Sequence, residues 1–294
     1  MPRSVPPATI LGQPAGVVYM VISAFSFSLM SLFVKVAGAT LPPMQIVLAR
    51  SVIVAVISYG LMKQASIYPW GRNKRLLVVR GLVGFVALSC FYYAVTQLPL
   101  ADVTVIHYMN PVFTALLAAL FLGEVLKRSS VLALVFGVAG LLLVAQPQFL
   151  FGGLGTALDL AAVGIALTGA FFAASAYTIV RKLRESEAML VVVFYFAFIS
   201  TIAALPFLAL GAAWPTPLEW GVLLAVGVTT HFGQVYLTKG LHAVQAGRAM
   251  SVSYVQIVFA ALWGALFFGE VPNLLTLAGG LLIVGAIFLV ARGR

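Results

Sequence analysis

The sequence predicts an all-α integral membrane protein, with ten transmembrane helices arranged as two inverted five-helix repeats. Three observations predict it. Of 294 residues, 63% are hydrophobic and only 8% charged, with a mean hydropathy of +1.12, whereas a soluble domain carries about a quarter charged residues. Apolar stretches of about 20 residues recur from end to end, long enough as helices to cross a hydrocarbon core of about 30 Å. Finally, the pentapeptide FLGEV at 121–125 returns as FFGEV at 267–271, each time closing a long apolar run, 146 residues apart.

The chain opens on a Pro-rich tail, residues 1–14, followed by an apolar run too long for a signal-peptide core and without a small-residue cleavage site, which predicts a retained first span. Pro, Gly and charge punctuation then places spans at 15–37, 43–62, 76–97, 103–122 and 130–147. A connecting loop covers 148–157, and five more spans follow at 158–180, 189–210, 218–238, 249–268 and 274–291. The repeats are thus 15–147 and 158–294.

Basic residues fix the expected direction. With the N-terminus inside, the cytoplasmic stretches hold Arg3; Lys63, Arg72, Lys74, Arg75 and Arg80; Lys127 and Arg128; Arg181, Lys182 and Arg184; Lys239 and Arg248; Arg292 and Arg294. Of the 17 basic residues only Lys35 and Arg50 are left over, so both termini are expected in the cytoplasm. The formal charge of +10 reads as a topology signal rather than a nucleic-acid surface.

Aligned at the 146-residue offset, Tyr108 meets Tyr254, Gly123 meets Gly269, Glu124 meets Glu270 and Lys35 meets Arg181. Five crossings per copy, an odd number, send the second copy into the bilayer from the opposite face. Inverted halves can exchange conformations around one central site, which is the physical basis of alternating access.

The stretches LADVTVIHYMNPVFTALLAALFLGEV and VQAGRAMSVSYVQIVFAALWGALFFGEV, each followed by a Gly-rich apolar helix, resemble the paired repeats of the drug/metabolite transporter superfamily, in its ten-span branch with two EamA domains. The second copy has Ile257 where the first has Pro111. Within that branch the aromatic-rich spans are most similar to bacterial exporters of aromatic amino acids. The resemblance implies a basket of helices in a bacterial inner membrane, the fifth and tenth spans peripheral, and a central cavity for a small-molecule substrate.

Candidate lining residues follow from polarity at helical spacing. His107 and Asn110 share a face of the fourth span beside Pro111, and their repeat counterparts are Ser253 and Gln256. These four either line the cavity or bond helix to helix. His231, Gln234 and Thr238 form a second stripe on the eighth span, with Phe85, Ser89 and Tyr92 as its counterpart on the third. Tyr92, Tyr177 and Trp263 are aromatic candidates for a planar solute. Arg50 either snorkels to the outer headgroups or faces the cavity as a carboxylate anchor, and Lys35 has the same choice near the outer mouth. For Glu124 and Glu270 the expectation is a tight hairpin: Gly123 or Gly269 ends one helix and the carboxylate enters the first turn of the next.

Other chemistries find no support. The seven acidic residues fall in loops or at span ends, so a buried carboxylate that exchanges a proton for a cationic drug is not available. Cys90 is the single cysteine, which excludes an intrachain disulfide, and no metal-ligand spacing or Gly-rich phosphate loop occurs, so no metal, cofactor or ATP-driven step is expected. An intramembrane enzyme would need a nucleophile with its base or a metal, and a pure scaffold or receptor would not need inverted halves. A nucleotide-sugar or organophosphate exchanger would need several cavity cations, where Arg50 and Lys35 are the candidates. The expected function is facilitated export of a small zwitterionic metabolite, an aromatic or large neutral amino acid. A cytoplasm-active reporter should give signal when fused to either end of the chain, and signal from one end alone would overturn the inverted arrangement.

Overall fold

The computed structural model describes residues 9–10, 13–98, 100–147, 150, 159–269 and 273–292. A short pair of strands, β1 (Thr9–Ile10) against β2 (Gln13–Pro14), precedes an otherwise helical chain. The first half contains α1 (Ala15–Ala37), α2 (Pro43–Gln64), α3 (Lys74–Gln97), α4 (Leu100–His107), α5 (Asn110–Leu122) and α6 (Arg128–Ala145). The second contains α7 (Leu160–Leu183), α8 (Met189–Ala204) with a 3-10 turn at Leu205–Leu210, α9 (Pro217–Ala243), α10 (Ala246–Ser253), α11 (Val255–Phe268) and α12 (Leu274–Arg292).

Among the described residues, 7 stretches are long and apolar enough to cross a membrane: α1, α2, α4 with α5, α6, α7, α8 with its turn, and α10 with α11. The remaining long helices, α3 and α9, have 24 and 27 residues and carry polar side chains such as Arg75, Arg80, His231 and Lys239. The apolar stretch of α12 is shorter.

Local chemistry sets the helix ends. Asn73 accepts from the Leu76 amide to cap α3, and Asp159 accepts from the Ala161 amide to cap α7. At the start of α9, Thr216 and Glu219 form a reciprocal capping box with Pro217 at the first helical position. Gly123 and Gly269 close α5 and α11 at φ +66° and +67°, a left-handed conformation that a side chain would strain.

The spans expected at 103–122 and 249–268 are each broken in the middle, at Tyr108–Met109 and at Tyr254. Pro111 explains the first break: its ring displaces the bond to the carbonyl four residues back, that of His107, and Asn110 Nδ2 takes up this carbonyl at 2.7 Å. Tyr108 O, also released from the helix, accepts from Tyr254 Oη at 2.9 Å, so two residues 146 apart touch each other at the two breaks. The second break occurs without a proline. Its tyrosine is 0% exposed and held in place by that bond.

The principal packing pairs are α1 with α9, α3 with α7, α2 with α8, and α6 with α12. Renaming each helix of one half as its equivalent in the other leaves this set of pairs unchanged. The same exchange appears in side-chain detail. A Cβ at Gly81 would lie 2.4 Å from Ile199, and one at Gly227 would lie 2.5 Å from Ile53; both glycines and both isoleucines are separated by the 146 residues that separate Tyr108 from Tyr254. Helices α6 and α12 meet backbone to backbone, where Cβ atoms at Gly140 and Gly279 would lie 2.7 and 2.6 Å from the partner's carbonyl oxygen.

Loop contacts define two ends of the bundle. At one, Arg72 N donates to Glu187 Oε1 at 2.7 Å and Tyr195 Oη to Trp70 O at 2.9 Å. This basic end carries Lys63, Lys74, Arg75, Lys127, Arg128, Lys182 and Arg184. At the other, Thr40 bonds Glu219, Gln45 Nε2 donates to Ala213 O at 2.6 Å, and Gln146 Nε2 donates to Asn273 Oδ1 at 2.9 Å. Gly137 seats the Tyr254 ring, 2.4 Å from where its Cβ would lie. Gly137→Val should therefore cost about 1–3 kcal/mol in thermal denaturation of the detergent-solubilised chain. Gly285→Ala, with nothing within 4 Å of its Cβ position, should stay within about 0.5 kcal/mol of the parent.

Candidate functional site

The structure distributes the sequence-predicted residues over three places. Around the helix breaks lie His107, Asn110, Ser253 and Gln256. The His107 ring is 4.5 Å from that of Phe91 and 5.9 Å from that of Tyr108. Asn110 is buried, and its amide nitrogen is already used on the His107 carbonyl. Ser253 Oγ likewise donates within its own helix, to Met250 O at 2.7 Å. Gln256 is half-buried one turn on. The two polar pairs therefore flank the Tyr108–Tyr254 contact, and Asn110 and Ser253 each spend a donor on a backbone carbonyl beside the breaks.

The second place is a cleft of about 460 Å³ between the end of α2, the start of α8 and α9, lined by Leu61, Gln64, Ala65, Met189, Leu190, His231, Phe232, Val235, Tyr236 and Lys239. An adjoining hollow of about 340 Å³ shares Met189, Leu190 and Lys239 and adds Ile67, Glu187, Ala188 and His242, which places the opening at the basic end. His231 Nδ1 is 3.2 Å from Ser58 Oγ across the α2–α9 contact. Lys239 Nζ lies 4.8 Å from the Tyr236 ring centroid and 5.7 Å from that of Tyr19, within cation–π range. Gln234 and Thr238 are buried on the same helix, where Thr238 Oγ1 donates to Gln234 O at 2.8 Å.

The third place is the bundle interior. Arg50 is 6% exposed, too buried to be snorkelling, with Nη1 4.0 Å from Met30 Sδ. Tyr177 is half-buried within electrostatic reach of Arg50 and Arg80. Trp263 stands apart, its Nε1 donating to Ser28 Oγ at 2.9 Å and its ring edge-on to Phe25. Lys35 is exposed. The side chain of Tyr92 and all of Glu270 lie outside the described residues.

Two expectations are corrected. Arg80, counted with the cytoplasmic basic residues, is 2% exposed inside α3, because the helix begins at Lys74 and carries it into the packed bundle. Glu124 does not enter the first turn of the following helix, which begins only at Arg128. Instead Glu124 Oε1 pairs with Arg181 Nε at 2.6 Å, with the two side chains 11% and 6% exposed, and Oε2 accepts from the Ala246 amide at 2.7 Å. Arg181 Nη1 also donates to the carbonyls of Leu241 and His242 at 2.8 and 3.0 Å. One carboxylate thus caps α10 while its partner guanidinium caps α9, and the cluster joins the first half to the second at the basic end.

Sequence reasoning passed over Arg80, Ser58, Gln64, Tyr236 and the partnership of Arg181 with Glu124. For the last pair the signal was present: Lys35 and Arg181 align in the repeat, as do Glu270 and Glu124. For Arg80 the signal was its valine counterpart, Val226, at the same register.

The chain matches the EamA-like transporter family twice, over residues 14–146 and 160–292. It is 39% identical over 281 residues to the Pseudopaline exporter CntI of Pseudomonas aeruginosa, with 95% of this chain and 97% of that protein covered. It is 31% identical over 284 residues to human Solute carrier family 35 member G1, covering 92% of this chain and 77% of that one. A solved crystal structure shares the fold with a TM-score of 0.83 at 19% identity, covering 95% of this chain and 98% of the other. The family and these relatives are transporters rather than enzymes, and the relatives' names refer to pseudopaline or to a solute carrier, not to aromatic amino acids.

Removing one partner of the Arg181–Glu124 pair strands the other charge in a buried position. Glu124→Leu and Arg181→Met should each destabilise the chain by about 3–5 kcal/mol in chemical denaturation. The double variant should recover much of that loss, giving a coupling energy that a cycle of the four proteins measures.

Proposed function

The chain belongs to the EamA-like transporter family of multi-pass membrane transporters, and from that premise we propose that it exports a small zwitterionic metabolite by facilitated alternating access between two inverted five-span halves. The observation that carries the reading is the exchange relation between halves: two family matches of equal length, helix pairs that map onto each other, and Tyr108 touching Tyr254 where an axis relating the halves would pass. The ten expected spans are the seven apolar stretches together with α3, α9 and α12.

The basic end is the cytoplasmic one on this reading, and the cleft between α2, α8 and α9 is the entry. Its wall is mostly apolar and aromatic, with Lys239, His231 and Gln64 as the polar groups, a lining suited to a solute with both a hydrophobic body and charges. Export as the direction, and a metabolite of the pseudopaline kind or an aromatic or large neutral amino acid as the cargo, rest on the similarity to the pseudopaline exporter and on the aromatic lining. The acidic side chains described lie in loops, at caps or in the Arg181 pair, which supports facilitated movement over proton exchange. Opening at the basic end must break the Glu124–Arg181 cluster, because it ties α5 to α7 and α9.

Proteoliposomes loaded with labelled phenylalanine, pseudopaline or a sugar nucleotide test the proposal. A zwitterionic probe should exchange at a rate unchanged by an imposed pH gradient. Movement of the sugar nucleotide alone, or strict dependence on the gradient, would replace this reading with an organophosphate exchanger or a proton-coupled one.

A further inference from the structure

Arg80 sits six residues into α3, about 9 Å along the helix axis from its start, and is 2% exposed. Its guanidinium carbon lies 4.2 Å from the Phe196 ring centroid, while Nε and Nη1 have no hydrogen-bond partner. Gly84 makes the room, since a Cβ there would lie 2.4 Å from Nη1. No acidic side chain among the described residues is paired with it; Glu124 and Glu185 are engaged by Arg181 and Lys182 instead.

The second repeat supplies an internal control. The residue equivalent to Arg80 is Val226, 0% exposed, beside the Gly227–Ile53 crossing that matches Gly81–Ile199. The same packing therefore forms around a valine, and the fold does not require a cation here. The exchange also relates Phe196, the ring beneath Arg80, to Arg50. Both of these buried arginines belong to the first half, Arg80 toward the basic end and Arg50 toward the other, with Tyr177 within electrostatic reach of both.

We propose that Arg80 is a substrate-binding residue that takes a carboxylate of the transported solute on the basic-end side of the path, with Arg50 as its counterpart on the far side. The assignment rests on the transporter reading and deepens it. A guanidinium with free N–H groups and no protein anion is a receptor for an oxyanion, and its planar donor fork matches a carboxylate. It is buried away from lipid, which favours a solute over a headgroup as the source of that oxyanion.

The test uses the full chain in detergent and reads its melting temperature with succinate against succinamide, phenylalanine against phenylalaninamide, and inorganic phosphate. The carboxylates should raise the melting temperature of the parent chain and their amides should not. Arg80→Met should abolish that shift while raising the ligand-free value by about 2–4 °C, since it removes an unpaired buried charge. Arg80→Lys should keep part of the shift. Absence of a carboxylate shift in the parent, an equal shift in Arg80→Met, or a lower ligand-free value in that variant would each overturn the assignment, and a response to phosphate alone would overturn the carboxylate. The two readings fail separately: transport of phenylalanine or pseudopaline with unchanged KM in Arg80→Met removes the role of Arg80 and leaves the transporter standing, whereas Arg80-dependent binding without transport does the reverse.

Discussion

In hydrocarbon, apolar side chains gain nothing by facing one another rather than lipid, so helices associate only where they can approach closely or exchange hydrogen bonds. This constraint explains where the contacts of the bundle lie. Its crossings occur at glycines that press against a specific partner: Gly81 on Ile199, Gly227 on Ile53, Gly140 on Gly279, Gly233 on Phe27 and Gly240 on Met20. Between them, short polar bonds such as Ser23 Oγ to Gly233 O at 2.8 Å and Trp263 Nε1 to Ser28 Oγ at 2.9 Å tie α1 to α9 and α11. Large apolar side chains are left on the outside, as Leu120, Phe121, Leu160 and Leu281 are.

The same constraint governs the helix breaks. A carbonyl released in a membrane interior must find a donor, and two at the first break do: His107 O from Asn110, Tyr108 O from Tyr254. Polar residues that look like binding groups are thereby partly committed to the backbone. The breaks also create short half-helices whose ends face the interior, which is where transporter folds place their substrates.

Charge is handled in two opposite ways. Arg181 is paired, hydrogen-bonded to three groups and set at helix ends, so its burial is compensated. Arg80 lacks hydrogen bonds on two of its nitrogens and relies on the face of Phe196, a contact worth about 2 kcal/mol when desolvated against a burial penalty of several kcal/mol. A residue kept at such a cost is characteristic of functional sites, where stability is given up for chemistry.

Composition and repetition in the sequence determined a great deal by themselves: a helical membrane protein, the approximate extent of its helices, and a duplication visible in FLGEV and FFGEV. These are legible because hydrophobic length and internal similarity are properties of the chain alone. Tertiary structure decided what the polar residues touch. Glu124 reached across to Arg181 and Ala246 rather than into its own hairpin, Asn110 turned back to its own carbonyl, and Arg80 went inward although basic residues near a span end read as loop charges. Periodicity places a side chain on a helix face, but whether that face meets lipid, a neighbouring helix or the interior depends on which helices it packs against, and the partners of Glu124 and Tyr108 are residues 57, 122 and 146 positions away.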